Sequence, residues 1–516
     1  MSSLPSFLAA ASGPRGPSHD QRAACRSALA GAVALAVALG VGRFAFTPLL
    51  PLMLAGGELD IRHGGWLASA NYAGYFVGAM TCARIAVDPA RMVRAGLAAT
   101  VLLTFAMGLA SPFWVWALVR FVGGAVSAWT FVFASQWGLR RVVEHGAPAW
   151  GGVIYTGPGI GIVATGLIGF ALAGRHAALG WIGFAAASAV LTAFVWRAFG
   201  AAGAGTDGGQ SRGGAKRAGD GVGVADAAGR AGERLAAGAT GAAEGAEAVA
   251  DAVSAANVAD TADTANSANS ANSANSANSA NSANSANSAT ATAERNSPVA
   301  GVAGQHGAMA APAARAPHVE SAAARRDAFW LVLLYGFPRF GYIITATFLP
   351  VIARAALPAH SRWPDLFWPM FGAALIAGAL LGARLPSGWD NRLLLGACCA
   401  VQALGVALGI VWPTAPGFAL GSALVGLPFT AITLFAMREA RRLRGERAAG
   451  LMGYATASYG VGQIAGPLAA APLAAHAGSF SPALWLAATM LAVGAAGFAA
   501  VALRAWRAKT RGGGVG

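Results

Sequence analysis

Three arginines stand inside stretches that are otherwise free of charge: Arg43, Arg120 and Arg339. A charge held at mid-bilayer costs about 2.5–3.5 kcal/mol on insertion scales, so such residues persist where they pair, coordinate or bind. A guanidinium presents a rigid fork of N–H donors that matches a carboxylate or phosphate two bonds at a time. The structural alternative is an arginine whose donors are taken up by backbone carbonyls of a neighbouring helix, which locks the fold. Arg84 and Arg384 fall at helix ends, where snorkelling explains them. The matching acids are missing. No Asp or Glu lies near the centre of an apolar run; Asp327 and Asp365 are at ends, and Glu144, Glu439 and Glu446 fall in loops. None of the eight His is central either. An anionic ligand could supply the missing counter-charge. The same absence argues against a buried carboxylate as carrier of a coupling proton, and against cationic drugs as cargo.

Polar residues recur at helical spacing around these groups. Tyr335, Arg339 and Tyr342 follow i, i+4, i+7 and share a face, with Thr345 three further on. Asn71 and Tyr75 are also i, i+4, with Tyr72 close to that face. A later run offers Tyr454, Ser458 and Gln463. Tyr and Thr in membrane helices also serve as packing and interhelical glue. The expected substrate-binding set is Arg43, Arg120, Arg339, Asn71, Tyr75, Tyr335, Tyr342, Thr345 and Gln463.

The elements that must position them follow from composition. Of 516 residues, 56% are hydrophobic and only 11% charged, with a mean hydropathy of +0.54. A soluble domain carries about 25% charged residues. Eleven of the 21 acids fall between Asp207 and Glu320, leaving ten for everything else, so the chain is read as a polytopic membrane protein. A bilayer core needs roughly 20 apolar residues per helix. Six such runs precede residue 200, at about 28–53, 65–87, 92–110, 113–137, 149–173 and 177–198. Six more follow, at about 328–353, 364–385, 392–412, 417–437, 448–472 and 481–503. The fold class expected is all-α, with twelve transmembrane helices in two six-helix bundles. Pro48, Pro51 and Pro350 are expected to kink the first and seventh helices. Gly157 to Gly161 and Gly460 to Gly466 read as close-packing surfaces at which the halves slide.

Between the bundles 28–198 and 326–503 lies 199–325, where Ala-Asn-Ser repeats eight times from Ala265 to Ser288. With almost nothing apolar to bury, that segment is expected to be a disordered linker. Residues 1–27 and 504–516 are expected to be tails. The run after Arg15, Arg22 and Arg26 is too long for a signal peptide and reads as a retained first helix. Arg and Lys near helix ends number nineteen on the side of the termini and linker and four on the other (Arg62, Arg175, Arg354, Arg362), which places both termini and the linker in the cytoplasm. The net charge of +15 is explained by those loops, without nucleic acid as a partner. Cys25, Cys82, Cys398 and Cys399 show no metal spacing and no candidate disulfide, and no metal or cofactor is expected.

The two halves resemble each other at an offset of roughly 300 residues, the mark of an internal repeat. Gly40-Val41-Gly42-Arg43-Phe44 matches Gly336-Phe337-Pro338-Arg339-Phe340, each followed by Leu-Pro. Gly78-Ala79 to Ala83-Arg84 matches Gly378-Ala379 to Ala383-Arg384, and Gly159-Ile160-Gly161 matches Gly460-Val461-Gly462. This plan resembles the major facilitator superfamily. The runs Gly40 to Met53, Gly65 to Gly78, Phe329 to Ala353, Phe429 to Arg442 and Gly460 to Pro467 resemble its YbfB/YjiJ-type subfamily, over about 28–198 and 326–503. The superfamily's motif after the second helix survives only as basic residues (Arg84, Arg91, Arg94) with Asp88. Arg120 and Gly124 fit its fourth-helix R-x-x-x-G. Gly157-Pro158 with Gly161 is similar to the drug/proton antiporter motif, but Ile162 replaces its second glycine, so antiporter specificity is not supported.

The resemblance implies a secondary transporter of the bacterial inner membrane, working by alternating access between its bundles. The residues add a small organic anion as the expected cargo, with the coupling ion open. A monomer in the lipid bilayer is expected. Rival readings are a drug or sugar exporter on the same scaffold, a polytopic membrane enzyme such as an acyl- or glycosyl-transferase, and a transporter-like sensor with the linker as its output. The enzyme would need a nucleophile–base or acid–base cluster, and no His/Asp or paired-carboxylate constellation occurs. No P-loop occurs, so ATP hydrolysis is not expected.

Overall fold

The computed structural model describes residues 19–200 and 322–512, apart from 83, 86, 148–149, 384, 387 and 446–447. The expected linker with its Ala-Asn-Ser repeats lies almost wholly outside the described residues, as do 1–18 and 513–516. The described chain forms twelve long helical units. The first six are α1 (His19–Ala55), α2 (Ile61–Cys82), α3 (Pro89–Leu109), α4 (Phe113–Glu144), α5 (Gly151–Ala171) and α6 (Ala177–Trp196). The second six are α7 (Ala322–Ala356), α8 (Trp363–Ala383), α9 (Asn391–Val411), α10 (Ala415–Arg444), α11 (Ala448–Ala477) and α12 (Ser481–Gly512).

Ten of these are long and apolar enough to cross a membrane. The other two, α2 and α11, are less apolar, and they pack against each other between the halves. Helix ends differ from the apolar runs in a consistent direction. α1 starts at His19, α4 runs to Glu144 and α12 to Gly512, because a helix continues past the bilayer wherever its polar flank can still bond along its own axis. Residues 19–27, 322–325 and 504–512 are helical. Glu439, expected in a loop, lies inside α10 and is 1% exposed.

α1 is interrupted ahead of its prolines. Ala36–Val41 is π-helical, 42–45 is a turn, and α-helix resumes at Phe46. Pro48 has no N–H, and its ring would crowd the Phe44 carbonyl of a continuous helix, which places the break just before it. α7 instead remains helical through Pro338 and Pro350.

The repeat read from sequence is present in three dimensions. Asp88 accepts from the Arg91 backbone N–H at the start of α3, and Asp390 from that of Arg392 at the start of α9. Gly78 meets the backbone of Ala125 in α4, and Gly378 that of Leu427 in α10; a Cβ at Gly378 would stand 1.7 Å from the Leu427 carbonyl oxygen. Each bundle also holds a small cavity at the same place. One is bordered by Leu103, Thr104, Met107 and Arg120, the other by Gly405, Val406, Gly409 and Ser422, positions separated by a constant interval along the chain.

The glycine-rich stretches do pack closely, in two directions. Gly159 and Gly166 face Ile376 and Pro369 of α8, and Gly460 faces Phe76 of α2, so these join the halves. Gly161 faces Gly40, and Gly462 and Gly466 face α7, so these join helices within a half. Hydrogen bonds between the halves run from Arg43 to Gln463, Thr47 to the Ala346 carbonyl (3.2 Å), Ser69 to the Ile464 carbonyl (2.8 Å) and Arg362 to the Phe170 carbonyl (2.7 Å), with Tyr72 and Thr347 sharing one at 3.0 Å. They lie at mid-helix or toward the ends that carry Arg62, Arg175, Arg354 and Arg362.

Candidate functional site

The turn after the π-helical segment presents Arg43, which is 4% exposed. Its guanidinium donates to the carboxamide oxygen of Gln463, from α11 of the other half. Rings enclose the rest: the guanidinium carbon lies 4.1 Å from the Tyr75 centroid, 5.0 Å from Tyr72 and 5.5 Å from Phe44. Such faces attract a cation through their quadrupole. Nε of Arg43 has no hydrogen-bond partner.

Arg339, its counterpart in α7, is fully buried. It donates to the Thr433 hydroxyl, to the Tyr335 hydroxyl at 3.3 Å and to the Phe429 carbonyl at 3.4 Å. Its nearest ring is Tyr459, with the centroid 4.5 Å away, followed by Tyr335 at 5.2 Å. Its Nε is likewise unpartnered. Gln463 joins the two arginine environments. It donates to the hydroxyls of Tyr342 and, at 3.1 Å, Tyr459, while its oxygen takes the Arg43 bond. Tyr342 stands edge-on to Phe429.

The third arginine does different work. Arg120 donates to the carbonyls of Gly42 (3.5 Å), Arg43 (3.3 Å) and Leu67 (3.5 Å), and its guanidinium lies 4.7 Å from the Phe46 centroid. Asn71 donates to the backbone carbonyl of Arg120 itself at 2.9 Å. Together they tie α1, α2 and α4 at the interruption of α1, whose loosened backbone leaves carbonyls to be satisfied. This is the structural alternative for Arg120. Asn71 serves the same joint, and only its unpartnered Oδ1 remains.

The nine expected residues thus separate. Arg43, Tyr75, Gln463, Tyr342, Arg339 and Tyr335 form one connected cluster. Arg120 and Asn71 lie behind it, and Thr345 borders the cavity of the second bundle. Of the other polar residues named for α11, Tyr454 is 71% exposed and points away. Tyr459, Thr433, Thr347 and Phe429 are members that sequence reasoning did not single out, and Tyr72, noted near the Asn71 and Tyr75 face, was not placed in the expected set. Tyr459 carried a signal, four residues before Gln463 and on its face. Thr433 carried none.

Among the described residues, buried acids are confined to helix ends. Asp365 pairs with Arg354, and Glu439 with Arg442 and, at 3.7 Å, Arg392. Arg392 also bonds Asp390 at 2.8 Å and Asp327 at 3.4 Å. Burial alone would push the Asp390 carboxyl up, but the hydrogen bonds and charge of Arg392 outweigh it and hold it below the usual range. No group of His, Cys, Asp or Glu among the described residues could hold a metal ion, and the four cysteines are unpaired. The cluster is thus two buried cations, aromatic walls, hydroxyls and one carboxamide. Chemically it can bind an anion.

The family model described as "Uncharacterised MFS-type transporter YbfB" matches residues 35–219 and 282–498. A solved structure of a variant of the nucleoside transporter NupG superposes with a TM-score of 0.54 at 13% identity, covering 92% of this chain and 99% of that one. At that identity the likeness speaks for the fold alone. A comparison with curated proteins finds no match.

Proposed function

The chain belongs to the YbfB-type family of major facilitator transporters, and from that premise we propose that it carries a small organic anion by alternating access. As a family member it is a multi-pass membrane transporter of small molecules; cargo class and mechanism are the proposal. The observation that carries it is that Arg43 binds one amide of the other half, Gln463, whose own donors go to Tyr342 and Tyr459, the rings that lie against Arg339, with no acid facing either arginine among the described residues. A carboxylate entering between them would meet forked donors on both sides, and the rings would exclude water from the pair. Alternating access is supported by the two repeat-related bundles, whose contacts run through side chains that can separate. The Arg and Lys bias at helix ends supports cytoplasmic termini, and the composition of 199–325 supports a tether between the two bundles, 28–198 and 326–503.

A thermal-shift screen of the purified protein tests the cargo class, because a ligand that binds only the folded state raises the midpoint by mass action. Benzoate, succinate and citrate are compared with glucose, uridine and tetraphenylphosphonium. At least one carboxylate should stabilise, and Arg43→Lys or Arg339→Lys should lose that response. Stabilisation by the cation or the neutral compounds alone would overturn the reading.

A further inference from the structure

The group that holds Arg43 is chemically close to a carboxylate. An arginine only donates, so the Gln463 carboxamide must turn its oxygen to it, leaving both amide protons for the hydroxyls of Tyr342 and Tyr459. Gln463 is 2% exposed and Arg43 4%. The amide oxygen carries only a partial charge and here takes one donor from Arg43; a carboxylate carries a full charge and can meet the guanidinium fork with both of its oxygens. The contact is therefore a neutral, single-bond version of the pair that Arg43 would make with an organic anion. It also joins the two halves, since Arg43 belongs to α1 and Gln463 to α11.

Resting on the reading of this cluster as an anion site, we infer that Gln463 is an internal occupant of the carboxylate subsite, which the cargo displaces. The incoming carboxylate takes the Arg43 donors that the carboxamide held, and the hydroxyls of Tyr342 and Tyr459, released from the amide, donate to the same carboxylate. Displacement breaks a bond between the bundles, so binding and release of the bundles are one event. Selectivity follows from the competition. A ligand must accept better from Arg43 than an amide does; a carboxylate meets that condition, and a neutral hydroxyl does not.

Formate, a carboxylate with no side chain, tests this on the purified full chain without knowledge of the cargo. Gln463→Ala empties the subsite, and formate should raise its melting midpoint with an apparent affinity roughly tenfold tighter than for the unsubstituted protein. Chloride at equal ionic strength should not. Gln463→Glu fixes a carboxylate beside Arg43, so formate should leave its midpoint unchanged. Arg43→Ala combined with Gln463→Ala should lose the response. If Gln463→Ala yields too little protein, Gln463→Asn withdraws the amide by one methylene, and the same gain over the unsubstituted protein is required. The inference is overturned if formate acts equally on the unsubstituted protein and the emptied variant, acts on neither, or still acts on Gln463→Glu. Benzoate, succinate or citrate stabilising the unsubstituted protein alongside any of those results would leave the anion reading standing and Gln463 an ordinary contact.

Discussion

At the scale of single residues, the three arginines separate by what their donors touch. Arg120→Ala would leave the carbonyls of Gly42, Arg43 and Leu67 short of a donor, at a cost of about 1–3 kcal/mol for each that stays buried and unpaired. Low membrane yield and a lowered midpoint are expected, with the carboxylate response intact in whatever folds. A well-folded Arg120→Ala that no longer responds would instead move Arg120 into the site. Arg43→Ala removes a buried cation whose polar partner is a neutral amide and leaves only the Gln463 carboxamide oxygen without its donor, so it should lose less stability than Arg120→Ala; a higher yield than Arg120→Ala with a lost response is the expected pair of readings. Arg43 and Arg339 were legible because the G-x-x-R-F repeat marks them twice. Tyr459 was passed over although it stands four residues before Gln463, because α11 is so rich in Ala and Gly that no apolar stripe separates its face from that of Tyr454; one is 4% exposed and the other 71%.

At the scale of elements, helix pairs are set by small residues that admit a neighbouring backbone. Gly378→Ala would drive a Cβ to 1.7 Å from the Leu427 carbonyl oxygen, so α8 and α10 must part. A loss of about 1–3 kcal/mol or more is expected, read as a drop in midpoint. Gly183→Ala in α6, whose Cβ would meet nothing within 4 Å, serves as the silent control. The helix ends hold a pH-sensitive joint. The Asp390 carboxyl lies below its ordinary range, so its contribution is complete above about pH 4 and fades as the pH falls through the lowered value. The midpoint should decline on acidification below that point, and Asp390→Asn should flatten the decline. Apolar runs announced all twelve helices. They did not announce the π-helical stretch of α1 or the burial of Glu439, because both depend on what a neighbouring helix offers: Gly161 against Gly40, and Arg392 of α9, alongside Arg442 of Glu439's own helix, against the carboxylate.

At the scale of the whole molecule, one buried core runs through helices of both halves, and nothing in the composition of 199–325 asks it to contribute. Replacing 205–320 with a short Gly/Ser spacer should leave midpoint and ligand response within error. Loss of transport with normal insertion would show a role for the segment. The bundles are alike in outline and unlike in charge: where the first has Arg120 at its cavity, the second has Ser422. The greater asymmetry is electrical. Arg43 and Arg339 face rings, hydroxyls and an amide, so under the proposed mechanism the vacant carrier would turn over with uncompensated positive charge, while the loaded carrier would bring an anion along. Each elementary charge displaced through the full field is worth about 2.3 kcal/mol per 100 mV. Net uptake includes the vacant return step, whereas exchange of labelled for unlabelled solute does not. In proteoliposomes clamped with potassium and valinomycin, net uptake should therefore respond more steeply to imposed voltage than exchange does. Equal responses would mean that the two guanidiniums never cross the field unaccompanied.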